Sequence, residues 1–389
     1  MRIAYTPEQE TLRRELRAYF AALMTPERRA ALASGDGELG EGDAYRDVVK
    51  KMGTDGWLAL GWPTEFGGAD RSMMDQLIFT DEAAIAGAPV PFLTINSVAP
   101  TIMAYGSPAQ KEFFLPQIAS GDLHFSIGYS EPGAGTDLAA LRTAAVRDGD
   151  EYVINGQKMW TSLIPYADYV WLAARTDPEA NKHRGLSMLI VPTDSEGFSY
   201  TPVHTVSGVD TSATYYSDVR VPVTARVGEE GGGWPLITNQ LNHERVALCS
   251  AAPIQTALRE TIDFADRAGL LQTPWVRANL ARVHAQVEFL KLINWKIASI
   301  AAQGGSPSPA DASATKVFGT EFATQAYRLL MEVLGPLATL RAGSPGAQLA
   351  GRLERFARTS LILTFGGGTN EVQRDIIAML ALNLPPARR

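Results

Sequence analysis

The spacing of apolar residues changes twice along this chain of 389 residues, and those changes constrain its fold more than any other feature. Between Thr6 and Ile118 apolar side chains recur every three or four positions, which is typical of amphipathic helices. After Gly121 the period becomes two, in short β-rich runs separated by turn residues, and helical spacing returns after Pro235. The sequence therefore predicts an α+β fold with an N-terminal helical domain (1–120), a middle β-sandwich or barrel domain (121–230) and a C-terminal helical bundle (231–389).

Individual elements can be predicted from the same patterns. Thr6 is suited to cap a helix that begins at Pro7, and Met73 to Ala86 is interpreted as another helix. Asn155-Gly156 is a strong hairpin signal. The strands are expected at 124–130, 143–147, 151–160, 168–174, 186–192, 198–206 and 213–219. The seam of a helix in the C-terminal bundle is expected at Leu280, Val283, Val287, Leu290 and Ile293.

Composition excludes several classes of partner. The formal net charge is -7 and neither Lys nor Arg forms runs, so we expect no nucleic acid and no anionic membrane as a partner. The single cysteine, Cys249, excludes an internal disulfide and lies in an apolar pattern, which favours core packing. The first twenty residues lack the apolar core of a secretory signal, and no run of about 18 apolar residues occurs. We therefore expect a cytoplasmic protein without a membrane span, and no bound metal.

The stretch from Phe125 to Asp137 reads FSIGYSEPGAGTD and carries the strongest chemical signal. Its first half alternates like a strand, and it then enters a turn of Glu, Pro and small residues. Such a turn presents bare backbone N–H groups and the hydroxyls of Ser130 and Thr136, which would suit a flat, polar ligand. An ordinary Gly-rich loop is the alternative. A second string, KMWTS, follows at 158–162.

These two strings resemble the flavin-binding signature of the acyl-CoA dehydrogenase family, and the resemblance extends from the first residues to the last. It implies FAD as the cofactor, with Ser130 at the pyrimidine end of the flavin, Trp160 beside the isoalloxazine and Ser162 at flavin N5. The candidate cofactor-binding residues are Tyr129, Ser130, Gly135, Thr136, Trp160, Ser162, Gly368, Thr369 and Glu371.

Dehydrogenation of a thioester needs a base for the α-proton, and a desolvated carboxylate is a competent one. In many family members this base is the Glu of a Tyr-Glu-Gly-Thr string, but the matching position here is Gly367. A minority, including isovaleryl-CoA-type enzymes, carries it in an earlier Glu-Arg pair, which Glu244 and Arg245 match. A solvated helix-face role for Glu244 and a catalytic role for Glu371 remain alternatives.

The glycines before the last helix imply a second catalytic role. Gly366 to Thr369 offers backbone N–H groups at a helix N-terminus, which could bind a phosphate or a carbonyl oxygen. The resemblance implies that the N–H of Gly367 binds the thioester oxygen together with a flavin ribityl hydroxyl. Glycines in place of Tyr-Glu empty space, so we hypothesise a bulky or branched acyl group. The substrate-binding candidates are Asn242, which stands where the family usually has Asp, with Arg245 and Gly366.

Two strings by which family dimers complete each other's flavin sites, Arg-x-x-Phe-Gly and Gln-x-x-Gly-Gly, are missing from the matching stretches 267–277 and 332–336. Because it lacks both strings, the chain is similar to the Glu-bearing subunit of the actinobacterial two-gene acyl-CoA dehydrogenases that act in steroid side-chain breakdown. The resemblance implies an α2β2 heterotetramer with a paralogous subunit, and an electron-transfer flavoprotein as electron acceptor.

The function expected from the sequence is FAD-dependent oxidation of the Cα–Cβ bond of a bulky, steroid side-chain acyl-CoA to the trans-2-enoyl-CoA in β-oxidation. Three alternatives remain open. The substrate could be a medium or branched fatty acyl-CoA, the enzyme could be an acyl-CoA oxidase, or the chain could be a catalytically silent scaffold subunit.

Overall fold

The computed structural model describes residues 3–33, 43–208, 210–238, 240, 249–303, 305 and 308–385. The N-terminal third is helical, and its first helix has the cap that the sequence predicts. The Thr6 hydroxyl accepts a hydrogen bond from the N–H of Gln9 at 3.3 Å, and the Gln9 side chain accepts one from the N–H of Thr6 at 2.9 Å. The helices are α1 (Pro7–Leu23), α2 (Pro26–Ala33), α3 (Ala44–Thr54), α4 (Met73–Ala86), α5 (Ala99–Tyr105) and α6 (Pro108–Ala119).

The middle third forms one hydrogen-bonded sheet with the strand order β6-β7-β3-β2-β4-β5-β8, and β1 lies parallel to β4. The strands are β1 (Phe125–Gly128), β2 (Ala144–Asp148), β3 (Glu151–Lys158), β4 (Tyr169–Arg175), β5 (Leu186–Pro192), β6 (Phe198–Val203), β7 (Thr211–Pro222) and β8 (Arg226–Val227).

The strand at 186–192 has the predicted limits, and the limits of the other predicted strands differ from the structure by one to three residues. The run predicted at 151–160 ends at Lys158, because Trp160 has a φ of 67°, which lies outside the range of a β-ladder. The run predicted to end at Val206 ends at Val203, and β7 continues to Pro222. The strand β8 was not predicted, because two residues are too few to show a period.

The last third is a bundle in which α10 packs against four other helices, α8, α9, α11 and α12. Cys249 is buried beside α10, as the sequence predicts. A Cβ added at Gly319 would lie 2.6 Å from the Cβ of Cys249, so only glycine allows this approach. Of the predicted seam, Leu280, Val283, Val287 and Leu290 are buried. The helices are α7 (233–238 and 240), α8 (Ala252–Arg267), α9 (Pro274–Ala302), α10 (Pro309–Leu334), α11 (Gln348–Leu363) and α12 (Asn370–Leu380).

Polar contacts join the three parts of the chain. The Gln110 amide on α6 donates to the carbonyls of Thr224 (2.9 Å) and Arg226 (3.0 Å) beside the last strand. Arg358 on α11 donates to the carbonyl of Val206 at 3.1 Å, which fastens the bundle to the loop between β6 and β7. Among the helices described, none is long and apolar enough to cross a membrane.

Candidate active site

The two halves of the flavin-like signature lie side by side. The N–H of Met159 donates to the carbonyl of Ser130 at 2.8 Å, and the Ser126 hydroxyl donates to the carbonyl of Ser162 at 2.8 Å. These bonds bring Ser130 next to the segment that contains Trp160 and Ser162. The structure thus groups three residues that the sequence assigns to one ligand.

The turn that follows Ser130 exposes its backbone. Glu131 and Ala134 exchange two backbone hydrogen bonds of 2.9 and 3.1 Å, which close a tight turn. A Cβ added at Gly135 would meet nothing within 4 Å, and both Gly135 and Thr136 are exposed. A ligand can therefore approach the main chain at Gly135 directly.

A buried ion pair that sequence reasoning missed holds this turn. Lys158, with none of its side chain exposed, donates to Glu131 at 2.9 Å and to the carbonyl of Tyr129 at 3.0 Å. The same carboxylate accepts hydrogen bonds from the N–H groups of Arg142 and Thr143, both at 2.8 Å. Burial lowers the pKa of Lys158 to about 8, and the Glu131 charge opposes that shift. The pair fixes the start of the turn to β2 and to the end of β3.

Trp160 is a large aromatic side chain held open to solvent. It has a φ of 67° and is 57% exposed, while the next residue, Thr161, is fully buried. The N–H of Thr161 donates to the carbonyl of Ser212 at 2.9 Å, which fixes the backbone beside the indole. A left-handed conformation costs a residue with a side chain about 1 to 2 kcal/mol. The strained backbone of Trp160 and the exposure of its indole are features of a surface on which a planar ring system can stack.

The side chain of Tyr129, in contrast, points into the core. Its hydroxyl donates to the amide oxygen of Gln240 and accepts from the indole N–H of Trp171 at 3.2 Å. The indole nitrogen of Trp171 also lies 3.1 Å from the side-chain oxygen of Gln240. Because an indole N–H can only donate, the amide atom of Gln240 that faces it must be the oxygen. Tyr129 therefore connects β1 to α7, and its phenol is a structural contact.

The predicted base Glu244, with Asn242 and Arg245, lies outside the described residues. The chain on the C-terminal side of these positions is anchored by two polar contacts. The carbonyl of Cys249 accepts from the Asn294 amide at 2.7 Å, and the Ser250 hydroxyl donates to Asp81 at 2.6 Å. Burial raises the pKa of Asp81 to about 6.

The glycine string forms a left-handed turn between α11 and α12. Gly367 has a φ of 68° and Gly368 a φ of 88°, conformations that favour glycine. A Cβ added at exposed Gly366 would have its nearest neighbour at 3.9 Å, so the space beside it is open. The hydroxyl of Thr369 caps α12 by accepting from the N–H of Val372 at 3.4 Å.

Glu371 lies in the first turn of α12 and is exposed. Hydrogen bonds from its own backbone N–H and from Thr369 hold the pKa of its carboxyl below the ordinary value. A general base is strengthened by burial away from water, and this carboxylate has the opposite surroundings. The geometry therefore disfavours Glu371 as the base.

The two stretches that lack the family's dimer strings are neighbours in the bundle. The amide of Asn279, just after the first stretch, donates to the carboxylate of Glu332, at the start of the second, at 2.9 Å. A groove of about 1070 Å³ runs beside them along α9 and α10, with Phe289 half exposed on its wall. Within the described ranges, no group of three or more His, Cys, Asp or Glu side chains could hold a metal ion.

Comparison with known proteins identifies the family. Models of three acyl-CoA dehydrogenase domains match consecutive parts of the chain: the N-terminal domain at 6–122, the middle domain at 126–221 and the C-terminal domain at 231–382. Over 100% of both chains, the sequence is 72% identical to acyl-CoA dehydrogenase FadE26 of Mycobacterium tuberculosis.

Two solved structures align with this protein over 100% of its chain and 100% of their own. One is the ChsE4-ChsE5 complex from Mycobacterium tuberculosis, with a TM-score of 0.93 and 72% identity. The other is described as the Tcur3481-Tcur3483 steroid ACAD, with a TM-score of 0.94 and 50% identity. These similarities confirm the three-domain fold expected from the sequence. The chain therefore belongs to the acyl-CoA dehydrogenase family and is an oxidoreductase that acts on a CH–CH bond.

Proposed function

We propose that this chain is the base-bearing subunit of a two-subunit, FAD-dependent acyl-CoA dehydrogenase that oxidises a bulky, steroid side-chain acyl-CoA to its trans-2-enoyl-CoA. The observation that carries the proposal is the full-length identity of 72% to a chain of the ChsE4-ChsE5 complex. The 50% identity to a chain of the Tcur3481-Tcur3483 steroid ACAD supports the class of substrate.

The surface around the signature fits FAD. The exposed indole of Trp160 suits a flat ring system, and the open backbone at Gly135 suits its polar edge or its phosphates. The hydroxyls of Ser130, Thr136 and Ser162 would supply side-chain hydrogen bonds. From the C-terminal bundle, Gly368, Thr369 and Glu371 would contact the same cofactor.

The reaction breaks two C–H bonds of the thioester. The Glu244 carboxylate takes the α-proton, and the electron pair of that bond spreads onto the thioester oxygen. The backbone N–H of Gly367 donates a hydrogen bond to this oxygen and stabilises its charge. When bound, FAD supplies the acceptor for the hydride of the β-carbon, and the new C=C bond is complete.

The open space beside Gly366 supports a bulky acyl group. Any side chain at Gly366 would occupy that space, and the left-handed φ of 68° at Gly367 makes a side chain unfavourable there too. Asn242 and Arg245 would bind the CoA thioester near the base. Rapid turnover of straight C4 to C8 acyl-CoAs with poor turnover of steroid acyl-CoAs would contradict this specificity.

The partner is a paralogous subunit that completes the flavin site, in an α2β2 heterotetramer. The half-exposed Phe289 and the groove beside Asn279 and Glu332 give the bundle an apolar surface for contact with another subunit. An electron-transfer flavoprotein would reoxidise the flavin. Peroxide formation in air at the rate of turnover would instead make the enzyme an acyl-CoA oxidase.

The visible absorption spectrum tests cofactor and partner together. We expect little flavin in the chain purified alone, and about one FAD per site after co-expression with the paralogue. A full complement of FAD in the lone chain would contradict the need for a partner. The assembled complex is then assayed with 5β-cholan-24-oyl-CoA against octanoyl-CoA.

The base is tested in the assembled complex by Glu244→Gln. Loss of a general base lowers turnover by about 10² to 10⁴-fold, so we expect a fall of this size at unchanged flavin content. The variant Glu371→Gln removes the competing carboxylate together with a cofactor contact, so it should lower the flavin content but leave the turnover per bound FAD close to that of the wild type. Normal turnover in Glu244→Gln would make a silent scaffold role, or a different base, the better explanation.

A further inference from the structure

A buried lysine on α10 lies directly behind the glycine turn. Lys316 has none of its side chain exposed. Its ammonium donates to the carbonyl of Thr364 at 3.1 Å, the carbonyl of Gly368 at 2.9 Å and the side-chain oxygen of Asn370 at 2.7 Å. One cation therefore holds both ends of the turn and the first residue of α12.

A buried glutamine holds the middle of the same turn. The amide nitrogen of Gln373, on the first turns of α12, donates to the carbonyl of Gly367 at 3.1 Å. The hydroxyl of Ser313, on α10, donates to the Gln373 oxygen at 2.7 Å and fixes the orientation of that amide. Both Gln373 and Ser313 are fully buried, so water does not compete for these bonds.

These contacts determine where two of the peptide N–H groups of the turn point. In a trans peptide the C=O and the N–H point in opposite directions, and the peptide bonds here are trans. The carbonyls of Gly367 and Gly368 point toward Gln373 and Lys316. The N–H groups of the same peptides, which belong to Gly368 and Thr369, therefore point away from those side chains.

We propose that Lys316 is a positioning residue for the reaction: by holding the carbonyls of Thr364 and Gly368, on either side of the Gly366–Gly367 peptide, it fixes that peptide so that the N–H of Gly367 can bind the thioester oxygen. The inference rests on the function proposed above. Lys316 acts through the turn and not by contact with the substrate. Its positive charge also favours the negative charge that develops on the oxygen as the α-proton leaves.

The burial of a charge at this position needs such a reason. An ammonium loses its hydration when buried, and an apolar side chain of similar length would fill the volume at lower cost. A methionine could pack there but could not orient two backbone carbonyls. The lysine therefore fixes the geometry of the turn, which a methionine would not do.

The test compares Lys316→Met with the wild type in the assembled complex. The probe is acetoacetyl-CoA, a thioester with an acidic C2 proton, whose ionisation on the enzyme is followed by its ultraviolet difference spectrum without turnover. We expect the pKa of the bound probe to rise by about one to two units in Lys316→Met. We expect kcat with 5β-cholan-24-oyl-CoA to fall about 10 to 100-fold, and KM to change little.

The control is Lys296→Met, which removes an exposed lysine paired with Asp311 at 3.0 Å. It should leave the pKa of the probe unchanged, and an equal shift there would overturn the positioning role. Ser313→Ala is a milder variant that frees the Gln373 amide. It should raise the pKa of the probe in the same direction, and it decides the matter if Lys316→Met does not fold.

Each result separates the two proposals. A wild-type complex that binds no acyl-CoA would overturn the proposed function and this inference with it. Normal binding and ionisation of the probe in the wild type, with the same pKa in folded Lys316→Met, would overturn the inference alone. If Lys316→Met does not fold, an unchanged pKa in Ser313→Ala would overturn it.

Discussion

Glu131→Gln is the substitution from which we expect the largest local effect. The carboxylate of Glu131 accepts hydrogen bonds from Lys158 at 2.9 Å and from the backbone N–H groups of Arg142 and Thr143, both at 2.8 Å. An amide keeps one acceptor oxygen but loses the charge that faces the buried ammonium. Removal of one partner from a buried ion pair costs about 3 to 5 kcal/mol. We expect that loss in the stability of the turn at 131–136.

The same pair predicts a pH dependence. Burial lowers the pKa of Lys158 to about 8 from 10.5, so between these values the unfolded chain binds more protons than the folded one. Stability therefore rises with pH through that window. Without the Glu131 charge the folded pKa falls further, and the window begins at a lower pH. The destabilisation of Glu131→Gln should accordingly shrink as the solution becomes alkaline.

Amide hydrogen exchange of the peptides that cover 129–145 measures this effect locally. A loss of about 3 kcal/mol corresponds to exchange about 100-fold faster at the protected amides. Asp137→Asn is the matched control, because its partner Lys182 is exposed and such surface pairs contribute about 0 to 1 kcal/mol. The double variant Glu131→Gln/Lys158→Met removes both charges and should recover much of the protection. Equal exchange in Glu131→Gln and Asp137→Asn would refute the reasoning.

Three further substitutions are expected to have measurable effects. Burial raises the pKa of Asp81 to about 6 from 3.8, so the stability of the wild type falls as the pH rises through about 6. The variant Asp81→Asn should therefore have a higher melting temperature than the wild type at about pH 8. The difference between the two melting temperatures should be smaller at about pH 5. Trp160→Gly removes a left-handed tryptophan and should raise the melting temperature of the flavin-free chain while weakening FAD binding, both followed by fluorescence. Tyr129→Phe removes the hydroxyl that donates to Gln240, and should lower the unfolding free energy by about 1 kcal/mol in urea titrations of the complex.

Local patterns in the sequence predict much of the fold. Thr6 and Pro7 mark the start of α1 because a hydroxyl and a fixed φ act within one turn, and Met73–Ala86 is a helix as predicted. The seam from Leu280 to Leu290 is buried because its period matches one face of α9. The two signature strings were joined by resemblance to a family, since nothing in their spacing shows that they are adjacent.

The structure differs from the prediction where tertiary contacts outweigh a local pattern. Trp160 follows an alternating run, but the contacts of its neighbours, Met159 with Ser130 and Thr161 with Ser212, turn it out of the strand. Tyr129 is a candidate cofactor contact by resemblance to the family, whereas the structure holds its phenol against Gln240 and Trp171. In each case the deciding partner lies far away in the sequence and carries no periodic signal.

The burial of Lys158 and Lys316 is the feature of this site that is hardest to predict from the sequence. A lysine in a helix or a strand is normally interpreted as a solvent-facing position, and Lys158 and Lys316 give no sign of an exception. Their acceptors include the main-chain carbonyls of Tyr129 and Gly368, and a carbonyl is present at every residue whatever its side chain. The position of each ammonium group therefore depends on the conformation of the backbone, as well as on the side chains around it. Substitution of either lysine should therefore change the geometry of a ligand-binding loop more than the stability of the core, and amide exchange within 129–136 and 364–370, compared with exchange in the core helices, measures that difference directly.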